Sequence, residues 1–340
     1  MNGHSVVAEG SAPPLLANAD FVFDPLWLRL ITESPESILT CDGVAVLAHV
    51  SDPRLSAAIV AAMRNSSACP VTSLKLYRAE DGYTLVNDEL RKRERLFVQR
   101  LTPESVPGLE RVTYAGAYKG VTDALTKYLW RGLAFHLTRL AAALGLSPNM
   151  VTAIGLLFCV FAGYAFWLGD YWAGMIAGFI SMVLDTVDGK LARCTLTSSR
   201  IGNIFDHGID LIHPPIWWWT WGMGLAHSAT PLPGQQVGIA FAVILAAYVV
   251  QRLIEGAFIR SFGMHIHVWQ KFDSCFRLIT ARRNPNMAIL LCFLAAGRPD
   301  LGYLAITWWS GLCCLIHLVR LAQAYGYRAS GRPVTSWLAA

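Results

Sequence analysis

The sequence predicts an α-helical integral membrane protein, with six transmembrane helices and an interfacial amphipathic helix, preceded by a small cytoplasmic α/β domain. Three observations predict it. The 340 residues are 54% hydrophobic and only 15% charged, with a mean hydropathy of +0.41, too apolar for an ordinary soluble chain. Lysine and arginine are absent from 140–189, 201–251 and 299–319, and these gaps are where membrane spans fit. Before about residue 112, short apolar runs instead alternate with helical stretches.

Within 1–115, Ile38 to Thr40 and Gly43 to Val50 read as strands and Ser56 to Arg64 as a helix, while Arg91 to Arg95 reads as a solvated charged face. Residues 116–147 form a juxtamembrane segment in which Thr122 to Leu144 reads as one amphipathic helix. Leu129, Leu133, Leu137 and Leu140 recur at helical spacing there, Lys127, Arg131 and Arg139 supply charge, and Trp130 supplies an interfacial ring. A helix in a soluble core is the alternative for this stretch. Ser147 and Pro148 suit the N-cap and first position of the first span. Within 148–325 the spans are predicted at 149–168, 171–194, 201–225, 237–259, 285–297 and 301–323, the fifth being short, with 326–340 as a cytoplasmic tail.

Basic residues set the orientation. Lys190, Arg193, Arg200, Arg252, Arg260, Lys271, Arg277, Arg282, Arg283 and Arg320 fall on one side, whereas the loops around Asp170 and from His227 to Gln236 carry none. The positive-inside rule places both termini on the cytoplasmic side of a multi-pass protein of the inner or cytoplasmic membrane. The N-terminus lacks a basic region followed by an apolar core, so no signal peptide is expected. The eight cysteines include no C-x-x-C, so neither a disulfide framework nor zinc is expected. Trp217 to Trp219 and Trp308-Trp309 read as lipid-facing or interfacial belts.

The chemistry is concentrated in two predicted spans. Asp185, Asp188, Gly189 and Ala192 share one helical face, and Gly202, Asp206 and Asp210 form a second stripe at four-residue spacing. Carboxylates in a membrane segment are costly and mark function. Two facing stripes would gather four of them, an arrangement that asks for a cation, and oxygen-only ligands favour a hard one such as Mg²⁺ or Mn²⁺. Gly189, Ala192 and Gly202 leave room for a large polar substrate against the backbone. Arg193 offers a fixed fork to a phosphate. Directly after Asp210, Pro214 and Pro215 remove two helix donors, so a kink is expected and the carbonyls of Asp210 and Leu211 lose their helical partners. His213, on the same stripe, reads as a packing or hydrogen-bonding residue.

The run D-x2-D-G-x2-A-R-x8-G-x3-D-x3-D is complete at all its fixed positions and resembles the CDP-alcohol phosphotransferase (phosphatidyltransferase) family. The resemblance implies a six-span enzyme that transfers a substituted phosphate group from a CDP-alcohol to an acceptor hydroxyl and releases CMP, in phospholipid or inositol-phospholipid-type biosynthesis. It implies that Asp185, Asp188 and Asp206 bind metal, and that Asp210 is both a ligand of a second ion and the general base. It also implies that Gly189, Arg193 and Ser199 contact the CDP group and that the enzyme is a homodimer. A similar Pro-Asn pair in the family makes Asn149 and Thr152 candidates for the same CDP group, with plain helix capping the alternative. The donor is CDP-diacylglycerol or a CDP-inositol-like molecule. Arg277, Arg282, Arg283 and Asn284 are candidates for holding the acceptor, which includes phosphorylated ones such as inositol phosphate or glycerol phosphate; membrane anchoring is the alternative. Membrane lipids are expected partners and nucleic acid is not.

Asn18 to Leu28, followed by Ile38 to Asp42, resembles the latter half of a sugar-nucleotidyltransferase domain, of the kind fused to this family in inositol-phosphate cytidylyltransferases. No glycine-rich phosphate loop precedes Asp20, so a non-catalytic relic is expected. A catalytically inactive scaffold of the same fold, and an ion-coupled transporter, are the other function classes. A transporter predicts paired discontinuous helices in inverted repeats, and no internal repeat is visible.

Overall fold

The computed structural model describes residues 15–67 and 74–339; the side chains of Arg200, Ile201, Asn203 and Asp206 lie outside the described ones. The chain divides into two compact units, 1–118 and 119–340.

In the first unit the described strands are β1 (Leu15–Ala17), β2 (Phe21–Phe23), β3 (Ser37–Cys41), β4 (Val44–His49), β5 (Lys75–Arg78), β6 (Thr84–Asn87), β7 (Lys92–Arg95) and β8 (Val98–Arg100). The helices are α1 (Leu26–Thr32), α2 (Pro53–Asn65) and α3 (Val106–Gly116). The main sheet runs β1-β4-β3-β5, with β5 parallel to β3 and the other pairs antiparallel. Asp42 and Gly43, both at positive φ, make the two-residue turn between β3 and β4. Alternation along β3 buries Leu39 in one core with Trp27 and Tyr77, and Ile38 in another with Ile59 and Met63. Asp52 caps α2, its carboxylate accepting from the Arg54 backbone at 2.8 Å.

The second unit is helical. A π-helical turn at Leu125–Leu129 precedes α4 (Arg131–Ala143), and then follow α5 (Pro148–Trp167), α6 (Tyr171–Cys194), α7 (Arg200–Gly224), α8 (Gly234–Phe262), α9 (Lys271–Arg277), α10 (Arg283–Ala295) and α11 (Pro299–Ala329). Among the described residues, three of these helices, α5, α8 and α11, are long and apolar enough to cross a membrane. Ser147 caps α5, its hydroxyl accepting from the Met150 backbone at 3.2 Å. A Cβ at Gly224 would run into the Phe166 carbonyl, so glycine there lets the end of α7 close on the end of α5.

Two expectations are corrected. The single helix expected over Thr122 to Leu144 is broken at Trp130, whose ring turns inward and donates from Nε1 to Thr186 Oγ1 at 3.2 Å. That leaves Trp130 4% exposed, not interfacial, while Leu129, Leu133 and Leu140 remain exposed on the outer side and Ala134, Thr138 and Ala141 are buried. Two of the five belt tryptophans are core instead, whereas Trp219 is exposed. Trp217 and Trp218 are fully buried, and Trp217 Nε1 donates to the Cys159 carbonyl at 2.9 Å. An indole N–H inside a helical core needs such a partner, and the close α5–α7 approach supplies one. Trp308 remains outward-facing, while Trp309 donates to the Ile279 carbonyl at 2.9 Å.

Helix α7 runs through Pro214 and Pro215 without interruption. The Leu211 carbonyl, which Pro215 cannot satisfy, accepts from the Tyr248 hydroxyl of α8 at 2.9 Å.

Candidate active site

The motif residues gather where the start of α5, the end of α6 and the start of α7 meet. Asp188 is 3% exposed, and its Oδ2 accepts from Thr152 Oγ1 of α5 at 2.5 Å. Ser199 caps α7, its hydroxyl accepting from the Gly202 backbone at 3.0 Å. A Cβ added to Gly202 would lie 2.7 Å from Asn149 Oδ1 and 2.9 Å from Ser199 Oγ. Asn149, Ser199 and Gly202 are therefore one polar corner. On α6 the Arg193 guanidinium covers Gly189, since a Cβ there would sit 3.1 Å from Arg193 Nη2. Ala192 is half-buried beside them.

Asp185 and Asp210 are joined by an arginine from α10. Arg283 Nη2 donates to Asp185 Oδ2 at 2.7 Å and Nη1 donates to Asp210 Oδ1 at 2.8 Å. His213 faces the same guanidinium, with Nε2 3.3 Å from Nη1 and Nδ1 2.7 Å from the Ile209 carbonyl. This pattern fits a neutral ring with its proton on Nδ1. Arg283 Nε donates to Asn284 Oδ1 at 3.1 Å, and Asn284 Nδ2 donates to Asp123 Oδ1 and Thr126 Oγ1, each at 3.1 Å. Burial would push the Asp123 carboxyl upward, but the Arg277 charge and hydrogen bonds from Thr126 and Asn284 outweigh it and hold the group below its usual range.

The neighbouring arginine points elsewhere. Arg282 Nη2 donates to Glu255 Oε1, which also accepts from Arg252 Nη2 at 3.0 Å and lies 3.1 Å from His267 Nε2. Of the four acceptor candidates, Arg283 and Asn284 thus lie against or next to the aspartates, Arg282 pairs with Glu255, and Arg277 is buried near Asp123. Sequence reasoning passed over Asp123 and Glu255. Glu255 carried a signal, being an acid inside an apolar span; Asp123 sits before the predicted spans and had none.

Asp206 belongs to α7, and its side chain lies outside the described residues. Among the described residues no group of three histidine, cysteine or acidic side chains is positioned to hold a metal ion as it stands. The donor set on α6 and α7 is nevertheless entirely carboxylate, and two of its members already share one positive charge, so its chemistry fits a hard divalent cation.

Residues 145–281 match the family model described as CDP-alcohol phosphatidyltransferase. This segment is similar to that family. It contains every fixed position of the motif and ends just before Arg282, Arg283 and Asn284. The chain is also similar to curated proteins over part of its length. Cholinephosphotransferase 1 of Xenopus laevis is 30% identical over 131 residues, 34% of this chain and 31% of that protein. Archaetidylinositol phosphate synthase of Pyrococcus horikoshii is 42% identical over 72 residues, 20% of this chain and 37% of that protein. Ethanolaminephosphotransferase 1 of Homo sapiens is 28% identical over 127 residues, 32% of this chain and 31% of that protein. The chain thus spans about a third of the length of these relatives. The crystal structure of Mycobacterium tuberculosis phosphatidylinositol phosphate synthase with CDP-DAG bound aligns at a TM-score of 0.43 and 19% identity, covering 54% of this chain and 91% of that one.

The polar corner yields a direct test. On the family resemblance, which places the CDP group at this corner, Gly202→Ala should displace the Asn149 amide and weaken CDP-alcohol binding about tenfold, the value of roughly one lost hydrogen bond of 1–1.5 kcal/mol. Donor titration of the purified variant checks this; unchanged affinity would separate Asn149 from the nucleotide.

Proposed function

We propose that this chain is a metal-dependent CDP-alcohol phosphotransferase that moves a substituted phosphate group to an acceptor hydroxyl and releases CMP, in phospholipid or inositol-phospholipid-type biosynthesis. The observation that carries this reading is the convergence of Asp185 and Asp210, from two helices, on the single positive charge of Arg283, with Asp188 one turn along α6 held by Thr152 of α5.

In this reading Asp210 takes the proton from the acceptor hydroxyl. The acceptor oxygen then bonds to the β-phosphorus of the CDP-alcohol, and the bond to the CMP oxygen breaks. Asn149, Thr152, Gly189, Ala192, Arg193, Ser199 and Gly202 hold the CDP-alcohol, whose close approach the small residues permit. Asp185, Asp188, Asp206 and Asp210 would hold Mg²⁺ or Mn²⁺, as two ions, which neutralise the diphosphate and the charge that develops on transfer. The acceptor is held at the start of α10 by Arg283 and Asn284, with Arg277 and Arg282 behind them. His213 keeps its ring against Arg283 and orients it.

One substrate is a lipid. An apolar groove of about 670 Å³ runs between α5 and α7, lined by Val160, Tyr164, Ile204, Ile209 and Ile216, and reaches His213 one turn from Asp210. Such a groove beside a polar site suits hydrocarbon chains. The spans are α5, α6, α7, α8, α10 and α11, with both termini and the site cytoplasmic. At 13 residues, about 20 Å of helix, α10 is the short one. The exposed leucines of α4 lie in the headgroup layer, and the first unit is a non-catalytic cytoplasmic domain. The enzyme acts as a homodimer.

The test is to incubate membranes containing the protein with labelled CDP-alcohols and candidate acceptors, with Mg²⁺ or Mn²⁺ present, and identify products by mass spectrometry. A metal-dependent product together with CMP is expected. Absence of CMP release across the panel would favour the scaffold.

A further inference from the structure

We propose that Arg283 is the site's own counter-cation, occupying the aspartate pair until a divalent cation displaces it, and that it thereby sets metal affinity. The inference rests on reading Asp185 and Asp210 as metal ligands. Their carboxylates come from different helices, 25 residues apart in sequence, and one guanidinium from a third helix bridges them with separate nitrogens. The arginine side chain is only 12% exposed. Its Nε–H is fixed by Asn284, which Asp123 and Thr126 hold in turn. The group is therefore built in, not a surface arginine that happens to reach an acid.

The charges set up a competition. Two carboxylates brought together need neutralising, and Arg283 supplies one positive charge where a divalent ion supplies two. A divalent ion drawn to Asp185 and Asp210 meets the guanidinium's like charge, and it either takes the place of the two charge-assisted hydrogen bonds or binds against that repulsion. Without metal, the same bonds hold α6, α7 and α10 together. Once displaced, the guanidinium remains tethered beside the site through Asn284 and is free to meet an anionic substrate oxygen. The fork geometry matters: a lysine would meet one carboxylate at a time.

The full chain in nanodiscs, as wild type, Arg283→Gln and Arg283→Lys, is titrated with Mn²⁺ by electron paramagnetic resonance, and thermal unfolding is followed with and without Mg²⁺. Arg283→Gln should bind Mn²⁺ about tenfold or more tightly than wild type, unfold at lower temperature without metal, and gain more from Mg²⁺. Arg283→Lys should shift Mn²⁺ affinity in the same direction by less, and it decides the matter if the glutamine variant does not fold. Unchanged or weaker Mn²⁺ binding in the folded variants, against a wild type that binds, would overturn the role of Arg283 alone. A folded wild type that binds no Mn²⁺ would overturn the metal reading together with this one.

Discussion

Asp210→Asn should lower the turnover number by about 10²–10⁴-fold, the usual worth of a positioned general base, while CDP-alcohol binding falls far less. The two side chains have nearly the same shape. The amide oxygen can still accept from Arg283 Nη1, where Asp210 Oδ1 sits at 2.8 Å, so the bridge to α10 survives in the variant. What disappears, on the proposed role of Asp210, is the ability to take a proton from the acceptor. Comparing single-turnover CMP release with the dissociation constant of the CDP-alcohol separates the two quantities. Undiminished turnover would remove Asp210 from the base role; an equal loss in both would mean that its contribution is to binding alone.

Glu255→Gln should destabilise the helical unit by about 3–5 kcal/mol, the cost of removing one partner from a buried ionic group. Glu255 Oε1 is the shared acceptor of Arg252, Arg282 and His267, and its side chain is only 13% exposed. Glutamine keeps the shape but leaves two guanidinium groups facing each other with no negative charge between them. Because Arg282 adjoins Arg283, the damage should extend to the aspartate site. Chemical or thermal unfolding in detergent, read by tryptophan fluorescence, measures the loss. A change within about 0.5 kcal/mol, as for an ordinary surface substitution, would show that Arg252 and Arg282 find other partners.

The local signals in the sequence located much of this structure. Ser147 and Pro148 begin α5, and α6 occupies Tyr171–Cys194, the interval left between the turn at Gly169 and the loop before Ser199. Helical spacing was enough to set Asp185 and Asp188 on one face, and the small residues beside them already indicated room for a substrate. Long-range choices were different. Nothing in the run Arg282-Arg283 says which arginine takes the aspartates, because Asp185 lies 98 residues away and the decision depends on where α6 and α8 pass α10. The tryptophans misled for a related reason. An indole is equally at home at a membrane surface and in a core that offers its N–H an acceptor, and only the approach of α5 to α7 distinguishes these for Trp217. The break at Trp130 was hidden because the leucine periodicity continues across it.

The start of α10 has a consequence for how the protein is assembled. Helix N-termini carry a partial positive charge, yet α10 opens with two cations, has no acid in its first turn and receives no side-chain cap at Arg282. Taken alone, that is a poor place for a helix to begin. The deficit is offset from outside, by Asp185, Asp210 and Glu255 on three other helices. The first turn of α10 is therefore expected to settle late, after α6, α7 and α8 have brought those acids together. The carboxylates proposed for chemistry are thus also the partners that compensate the charged start of α10.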